Sequence, residues 1–171
     1  IVGEPTNPNK LGEMIKIGRR GSISGTITIS GSQGHVAYPH LSNNPINTLV
    51  KACKKLNEQK LDKGNKNFQP SNLEFTSINV DNKATNVIPA TAKAQFNVRF
   101  NNLHTSSSLK KKIYSIVKSL SKKNKCKFKI DFHVSGESFL TKPNKTIYMA
   151  KNIIKKITKI TPVFSTTGGT S

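Results

Sequence analysis

Between Gly21 and Val134 the spacing of apolar residues changes period in a set order, and that order restricts the fold of this 171-residue chain more than any other property. In GSISGTITISG, Ile23, Gly25, Ile27 and Ile29 fall on one face and Ser or Thr on the other, as in a half-buried strand. Residues 31 to 45, GSQGHVAYPHLSNNP, carry the Gly, Pro and Asn of a loop. Pro45 suits a helix start, and Ile46, Leu49, Val50, Cys53 and Leu56 follow at helical spacing, predicting a helix from about 46 to 60. After a polar loop over 61–71, Leu73 and Phe75 begin a strand whose apolar phase slips to Ile78 and Val80, as a bulge would produce. Beyond the loop DNKATNVIPA, Ala92, Ala94, Phe96, Val98 and Phe100 alternate with Lys93, Gln95, Asn97 and Arg99. A Ser-rich entry at 106–108 leads a second helix with Leu109, Ile113, Ile116, Val117 and Leu120 as its apolar stripe. Cys126, Phe128, Ile130, Phe132 and Val134 then alternate as a fourth strand.

Strand, helix, strand, strand, helix, strand predicts an α+β unit of the ferredoxin-like type, an antiparallel four-stranded sheet with both helices on one face. Residues 1–17, with Pro5 and Pro8, read as an irregular lead-in. After 137, a helix with Ile147, Ala150, Ile154 and Ile157 on one face leads through Pro162 to a short strand around Val163 and Phe164, then to TTGGTS. The expected organisation is an inserted domain over 18–137, with 1–17 and 138–171 as two ends of a second domain.

Composition limits the function classes. No run approaches 18 apolar residues, so a membrane-spanning helix is not expected. The opening IVGEPTNPNK has no basic start followed by an apolar run, so no secretory signal is read. Cys53 and Cys126 both sit among apolar residues, which fits two unpaired thiols in a reducing cytoplasm. The net charge of +20 raises nucleic-acid binding, yet only Arg19, Arg20 and Arg99 among the 28 basic residues are Arg, and aromatics make up 6% with no Trp. Phosphate and base recognition favours Arg forks beside aromatic platforms. With 18 Asn and many Ile alongside the Lys, the bias reads as the imprint of an AT-rich genome. Neither a membrane nor a nucleic-acid partner is expected.

The chain has eight acids. Asp62, Asp81 and Asp131 lie in polar or strand-surface settings, and no two acids are spaced as a catalytic pair. Glu4, in IVGEP, stands apart by its apolar and turn context, although spacing alone favours an ordinary exposed carboxylate. His35 and His40 share the loop GHVAYPH at a spacing that does not suit a helical zinc pair. Metal ligation and hydrogen-bond donation from a loop both remain open for them. His104 and His133 read as surface or strand-face residues. The Arg pair in GRRGS is the sole Arg cluster; it suits bidentate carboxylate binding or a structural ion pair. The closing GGT offers backbone N–H groups to an anion, a weak signal by itself.

Taken together, IVGEP, GRRGS, GSQGHVAYPH followed by NNP, TNVIPA leading into QFNVRF, SGESFLT and TTGGTS resemble, in order and spacing, the dinuclear zinc aminoacylase and carboxypeptidase superfamily. The combination of GHVAYPH, GRRGS and TTGGTS favours its desuccinylase branch over acetylornithine deacetylases and dipeptidases. The resemblance implies an α/β zinc-hydrolase catalytic domain interrupted by a ferredoxin-like domain that makes a homodimer and covers the active site. It implies hydrolysis of a small-molecule substrate, N-succinyl-LL-2,6-diaminopimelate, in the cytoplasm. Glu4 would be a zinc ligand, and His35 would cross the dimer interface to donate a hydrogen bond to the scissile amide oxygen. Arg19 would hold a substrate carboxylate, helped by Gly169 and Thr170, with Tyr38, Asn86 and Arg99 close to the substrate. The cofactors implied are two zinc ions, or cobalt, in a longer parent enzyme. One carboxylate cannot hold two metal ions, so this segment alone is expected to bind none stably and to be inactive. A non-catalytic dimerisation module is the competing expectation.

Overall fold

The computed structural model describes Asn7 and residues 9 to 168. In chain order the elements are β1 (Met14–Lys16), β2 (Gly18–Arg19), β3 (Gly21–Ser30), β4 (Gly34–His35), α1 (Pro45–Asn57), β5 (Asn72–Asn79), β6 (Val87–Ile88), β7 (Thr91–Phe100), α2 (Ser106–Lys123), β8 (Lys127–Gly136), β9 (Phe139–Leu140), α3 (Lys145–Thr158) and β10 (Val163–Ser165). The fold is mixed α+β. Four strands form one sheet in the order β5-β7-β3-β8, and every neighbouring pair in it is antiparallel. The expected bulge is present: the β5–β7 register shifts between Phe75 and Ser77, leaving Thr76 unmatched.

Alternation decides which face is buried. Ile23, Ile27 and Ile29 of β3 and Ala94, Phe96, Val98 and Phe100 of β7 point into the core, where α1 and α2 cover them. Ser24, Thr26, Gln95 and Asn97 occupy the opposite face. Helix α1 starts on Asn44, whose side chain accepts the Ile46 N–H at 2.9 Å, with Pro45 at the first helical position. Helix α2 starts on a reciprocal capping box between Thr105 and Ser108. Along α1 the buried stripe is Thr48, Leu49, Ala52, Cys53 and Leu56. Val50, expected on that stripe, is 54% exposed, because it lies one residue step beyond Leu49 around the helix.

The C-terminal flank contains the expected helix and short strand, and the N-terminal flank is more ordered than an irregular lead-in. Strand β1 pairs in parallel with β10, Met14 opposite Val163, and β2 pairs antiparallel with β9, Arg19 opposite Phe139. Residues 1–17, expected to be irregular, therefore include a strand whose partner lies some 150 residues away in sequence (163 − 14 = 149). Gly18 permits close approach at the β2–β9 crossing, since a Cβ there would stand 2.5 Å from the Phe139 carbonyl oxygen. Helix α3 is capped by Asn144 and packs through Tyr148 and Lys151 on Phe164. Along its expected apolar face Ile147 and Ile154 are half-buried, while Ala150 and Ile157 are exposed, Ile157 at 75%. No helix among the described residues is long and apolar enough to cross a membrane.

The loop from 61 to 71 is organised by Asp62, which the sequence placed in an ordinary polar setting. Its carboxylate accepts the backbone N–H of Gly64 at 2.6 Å and of Ser71 at 3.2 Å, and the Asn101 Nδ2–H at 2.7 Å. His104 Nε2 stands 3.1 Å away, so this histidine is a tertiary partner rather than a free surface group. Burial raises the Asp62 pKa, but hydrogen bonds from Ser71, Gly64 and Asn101 outweigh it, and the net shift is downward. A depressed native value stabilises the fold above the unfolded carboxylate pKa of about 4, and that stability is lost as pH falls through the native value. Asp62→Ala is expected to cost about 1–3 kcal/mol in urea unfolding at neutral pH, with the deficit shrinking in acid. An equal deficit at neutral and acid pH would remove the carboxylate from this role.

Candidate functional site

The residues singled out in the sequence form two groups at opposite ends of β3. The first group sits on the loop after its C-terminal end. That loop is closed at its base by Ser32 and Asn43, which exchange backbone hydrogen bonds at 3.2 and 3.3 Å, while the Ser32 hydroxyl accepts the Asn43 N–H at 2.8 Å. Gly31 is obligatory there, because a Cβ would lie 1.8 Å from the Asn43 carbonyl oxygen. Strands β4 and β6 then pair, with Gly34 opposite Ile88 and His35 opposite Val87, and the Val36 N–H donates to the Asn86 carbonyl at 3.0 Å. Thus His35 and Asn86, far apart in sequence, share one platform.

His35 opens a tight turn closed by the Tyr38 N–H on the His35 carbonyl at 3.0 Å. Within it the Ala37 N–H donates to His35 Nδ1 at 3.1 Å. Tyr38 tilts over the imidazole at 6.0 Å between ring centroids and meets His40 edge-on at 6.4 Å. Val36, Tyr38 and Leu41 are all exposed, Leu41 at 72%, so the loop presents apolar side chains and a histidine to its surroundings. Apolar side chains grouped this way on one loop indicate a contact surface.

The second group lies before and beside the start of β3. Arg19 on β2 lays its guanidinium over the Phe139 ring, 5.6 Å from the centroid, and its Nε is buried without an acceptor among the described residues. Stacking on an aromatic ring holds a guanidinium in one plane, which fixes the direction of its N–H fork. Arg99 projects from the polar face of β7, between Ser22 of β3 and Asn72 of β5 in register. Arg20 donates to the Pro70 carbonyl and to Asn72 Oδ1, both at 3.2 Å. Burial, and secondarily the charge of Arg99, hold the Arg20 pKa below its ordinary value. The sequence assigned a role only to the first arginine of GRRGS, and Phe139 was quoted there merely as part of SGESFLT. No sequence signal marked the Arg19–Phe139 stack, which depends on the β2–β9 register.

Glu4, Gly169 and Thr170 lie outside the described residues. Among the described residues no three His, Cys, Asp or Glu side chains converge to hold a metal ion. The described donor set therefore does not fit a zinc pair. Cys53 and Cys126 are unpaired; burial pushes the Cys53 thiol up to about 11, as for a core residue rather than a nucleophile.

With this geometry in place, the wider kinship is clear. Residues 17–125 match the model of the peptidase dimerisation domain, and the chain belongs to that family. It is 64% identical over its whole length to the succinyl-diaminopimelate desuccinylase of Pelagibacter ubique and 48% identical to that of Parvibaculum lavamentivorans, covering 44% and 43% of those proteins. The chain thus spans less than half the length of these curated relatives. Its fold matches that of the aminopeptidase PepT from Bacillus cereus with a TM-score of 0.78 at 17% identity, over 93% of this chain and 41% of that one. The di-peptidase Dug1p from Saccharomyces cerevisiae gives a TM-score of 0.71 at 16% identity, over 93% of this chain and 45% of that one.

The close approach at Gly31 yields a direct test of how the histidine loop is held. Gly31→Ala is expected to lower stability by about 1–3 kcal/mol and to speed amide exchange at Ser32 and Asn43. Unchanged melting and exchange would show that the loop base is not a close contact.

Proposed function

We propose that this chain is the dimerisation and lid segment, with catalytic-domain flanks, of a succinyl-diaminopimelate desuccinylase. The complete enzyme would hydrolyse N-succinyl-LL-2,6-diaminopimelate to succinate and LL-2,6-diaminopimelate in the cytoplasm. One observation carries the reading: the histidine loop and the arginine cluster lie at opposite ends of a ten-residue strand, about 30 Å apart at strand rise. One protomer cannot bring both to one small substrate, whereas a two-fold dimer lets each His35 serve the partner's Arg19. The exposed apolar tip of the His35 loop and the Arg19 Nε–H, which has no acceptor among the described residues, support the same division of labour.

The element order and the strand order β5-β7-β3-β8 support a ferredoxin-like domain over 18–137. The paired crossings β2 and β9 mark where the chain enters and leaves it. The parallel pair β1–β10 supports assigning 1–17 and 138–171 to an α/β catalytic domain, because parallel ladders normally belong to larger buried sheets. The two zinc ions, or cobalt, of the complete enzyme would be held mainly by residues beyond those described, with Glu4 as this chain's ligand. Homodimerisation is assigned to the open edge of β5, where Ile78 is 59% exposed. The opposite edge, β8, carries exposed Lys127 and Lys129, and charged side chains on an edge strand discourage pairing with a second copy.

In this reading His35 donates from Nε2 to the amide oxygen as negative charge develops on it, and Arg19 holds a substrate carboxylate through two N–H groups. In the complete enzyme, His35→Ala is expected to cut kcat by about 10²–10³ with metal content unchanged. Arg19→Lys is expected to raise KM by about tenfold or more with the metals in place, because a point charge cannot replace the fork. Faster turnover of N-acetylornithine than of N-succinyl-diaminopimelate would move the assignment to the related deacetylases. Light scattering is expected to find a dimer of the 171-residue chain and a monomer for Ile78→Lys. A dimer that survives Ile78→Lys would place the interface elsewhere.

A further inference from the structure

We infer that the backbone N–H of Ala37 locks the His35 imidazole as its Nε2–H tautomer, making residue 37 a positioning residue for the histidine. The Ala37 N–H donates to His35 Nδ1 at 3.1 Å inside the turn closed by the Tyr38 N–H on the His35 carbonyl. A nitrogen that accepts an N–H must present its lone pair, because a proton on Nδ1 would meet the amide hydrogen head-on. In the neutral ring the single proton then sits on Nε2. The histidine takes the part that Asn or Asp plays in an Asx turn, its side chain accepting the N–H two residues on.

The rest of the loop keeps that amide in place. The β4–β6 pairing and the Val36 N–H on the Asn86 carbonyl fix the backbone on either side of His35. Pro39 and Ser42 continue the anchoring, the Ser42 N–H donating to the Pro39 carbonyl at 3.3 Å. The catalytic meaning of the inference rests on the function proposed above. Only the Nε2–H form has a donor to offer an amide oxygen; the other tautomer would aim a lone pair at it. The sequence GHVAYPH then has a reason for its spacing: residue 35 supplies the ring, 37 the amide that orients it, and 38 the amide that closes the turn.

The test is nitrogen NMR of the 15N-labelled 171-residue chain, in buffer alkaline enough to keep the histidines neutral, with His35→Gln to assign the ring signals. The expected spectrum shows one ring nitrogen with a pyridine-like shift and one with a pyrrole-like shift. A 15N–15N coupling across the hydrogen bond should join the Ala37 amide to Nδ1. Ala37→Pro, which lacks the N–H, should move both ring shifts toward the tautomer average, while Ala37→Ser should leave them as they are. Averaged ring shifts without the coupling in the native chain, or an Nδ1–H ring, overturn the inference. Native ring shifts in a folded Ala37→Pro chain do so as well, and the coupling in the native chain decides the matter should that variant not fold. None of these readouts requires turnover, so an unchanged kcat in His35→Ala would reject the catalytic reading while leaving the tautomer result standing.

Discussion

Strand β3 is paired along its length on both sides, with β7 on one and β8 on the other, and its isoleucines Ile23, Ile27 and Ile29 are fully buried beneath the two helices. A slip of one residue in either ladder would turn those isoleucines to the polar face and bring Ser24, Thr26 and Thr28 into the core. The register is therefore fixed by the hydrophobic effect on one face rather than by the ladder hydrogen bonds, which any register could satisfy. Gly25 belongs to the same constraint, since the Phe96 ring fills the space where a Cβ would be, 2.3 Å from its Cζ. Small opposite large in register keeps that face closely packed.

Because β3 is rigid and central, its two ends become fixed points. The loop after it carries His35, Tyr38 and the backbone partner of Asn86. The crossing before it carries Arg19 on the Phe139 ring, with Arg20 and Arg99 close by. In the proposed function each group is half of a site for an amide bearing carboxylates, the one supplying a donor and the other an anion fork. The proposed dimer would join the two, and the length of the strand would set how far the histidine must reach.

Much of this was readable as pattern. The alternation from Ala92 to Phe100, the helical stripe from Leu109 to Leu120 and the bulge between Phe75 and Ser77 follow from local periodicity, and the structure contains each; the cap of the second helix is Thr105, just before the Ser run, with Ser108 returning its bond. The two-residue strands β2, β4, β6 and β9 left no such trace, because a ladder of two pairs is too short for a period. Asp62 and His104 were misread as ordinary surface groups, since what distinguishes them is a partner about 40 residues away (104 − 62 = 42). Val50 and Ile157 lie on apolar stripes yet are exposed, because helical spacing alone cannot tell which edge of a stripe is covered.

The amino-acid sequence by itself determined the number and kind of the main elements, the face each strand buries, and the residue types able to serve as donor, fork and turn. Those properties depend on neighbours within a few positions, where chain geometry ties side-chain direction to sequence spacing. Only the tertiary structure decided that His35 and Asn86 share a platform, that Phe139 lies under Arg19, and that the two groups sit at opposite ends of one buried strand. Such relations follow from the strand order and register of distant segments, which the burial of a common apolar face selects and no local pattern encodes.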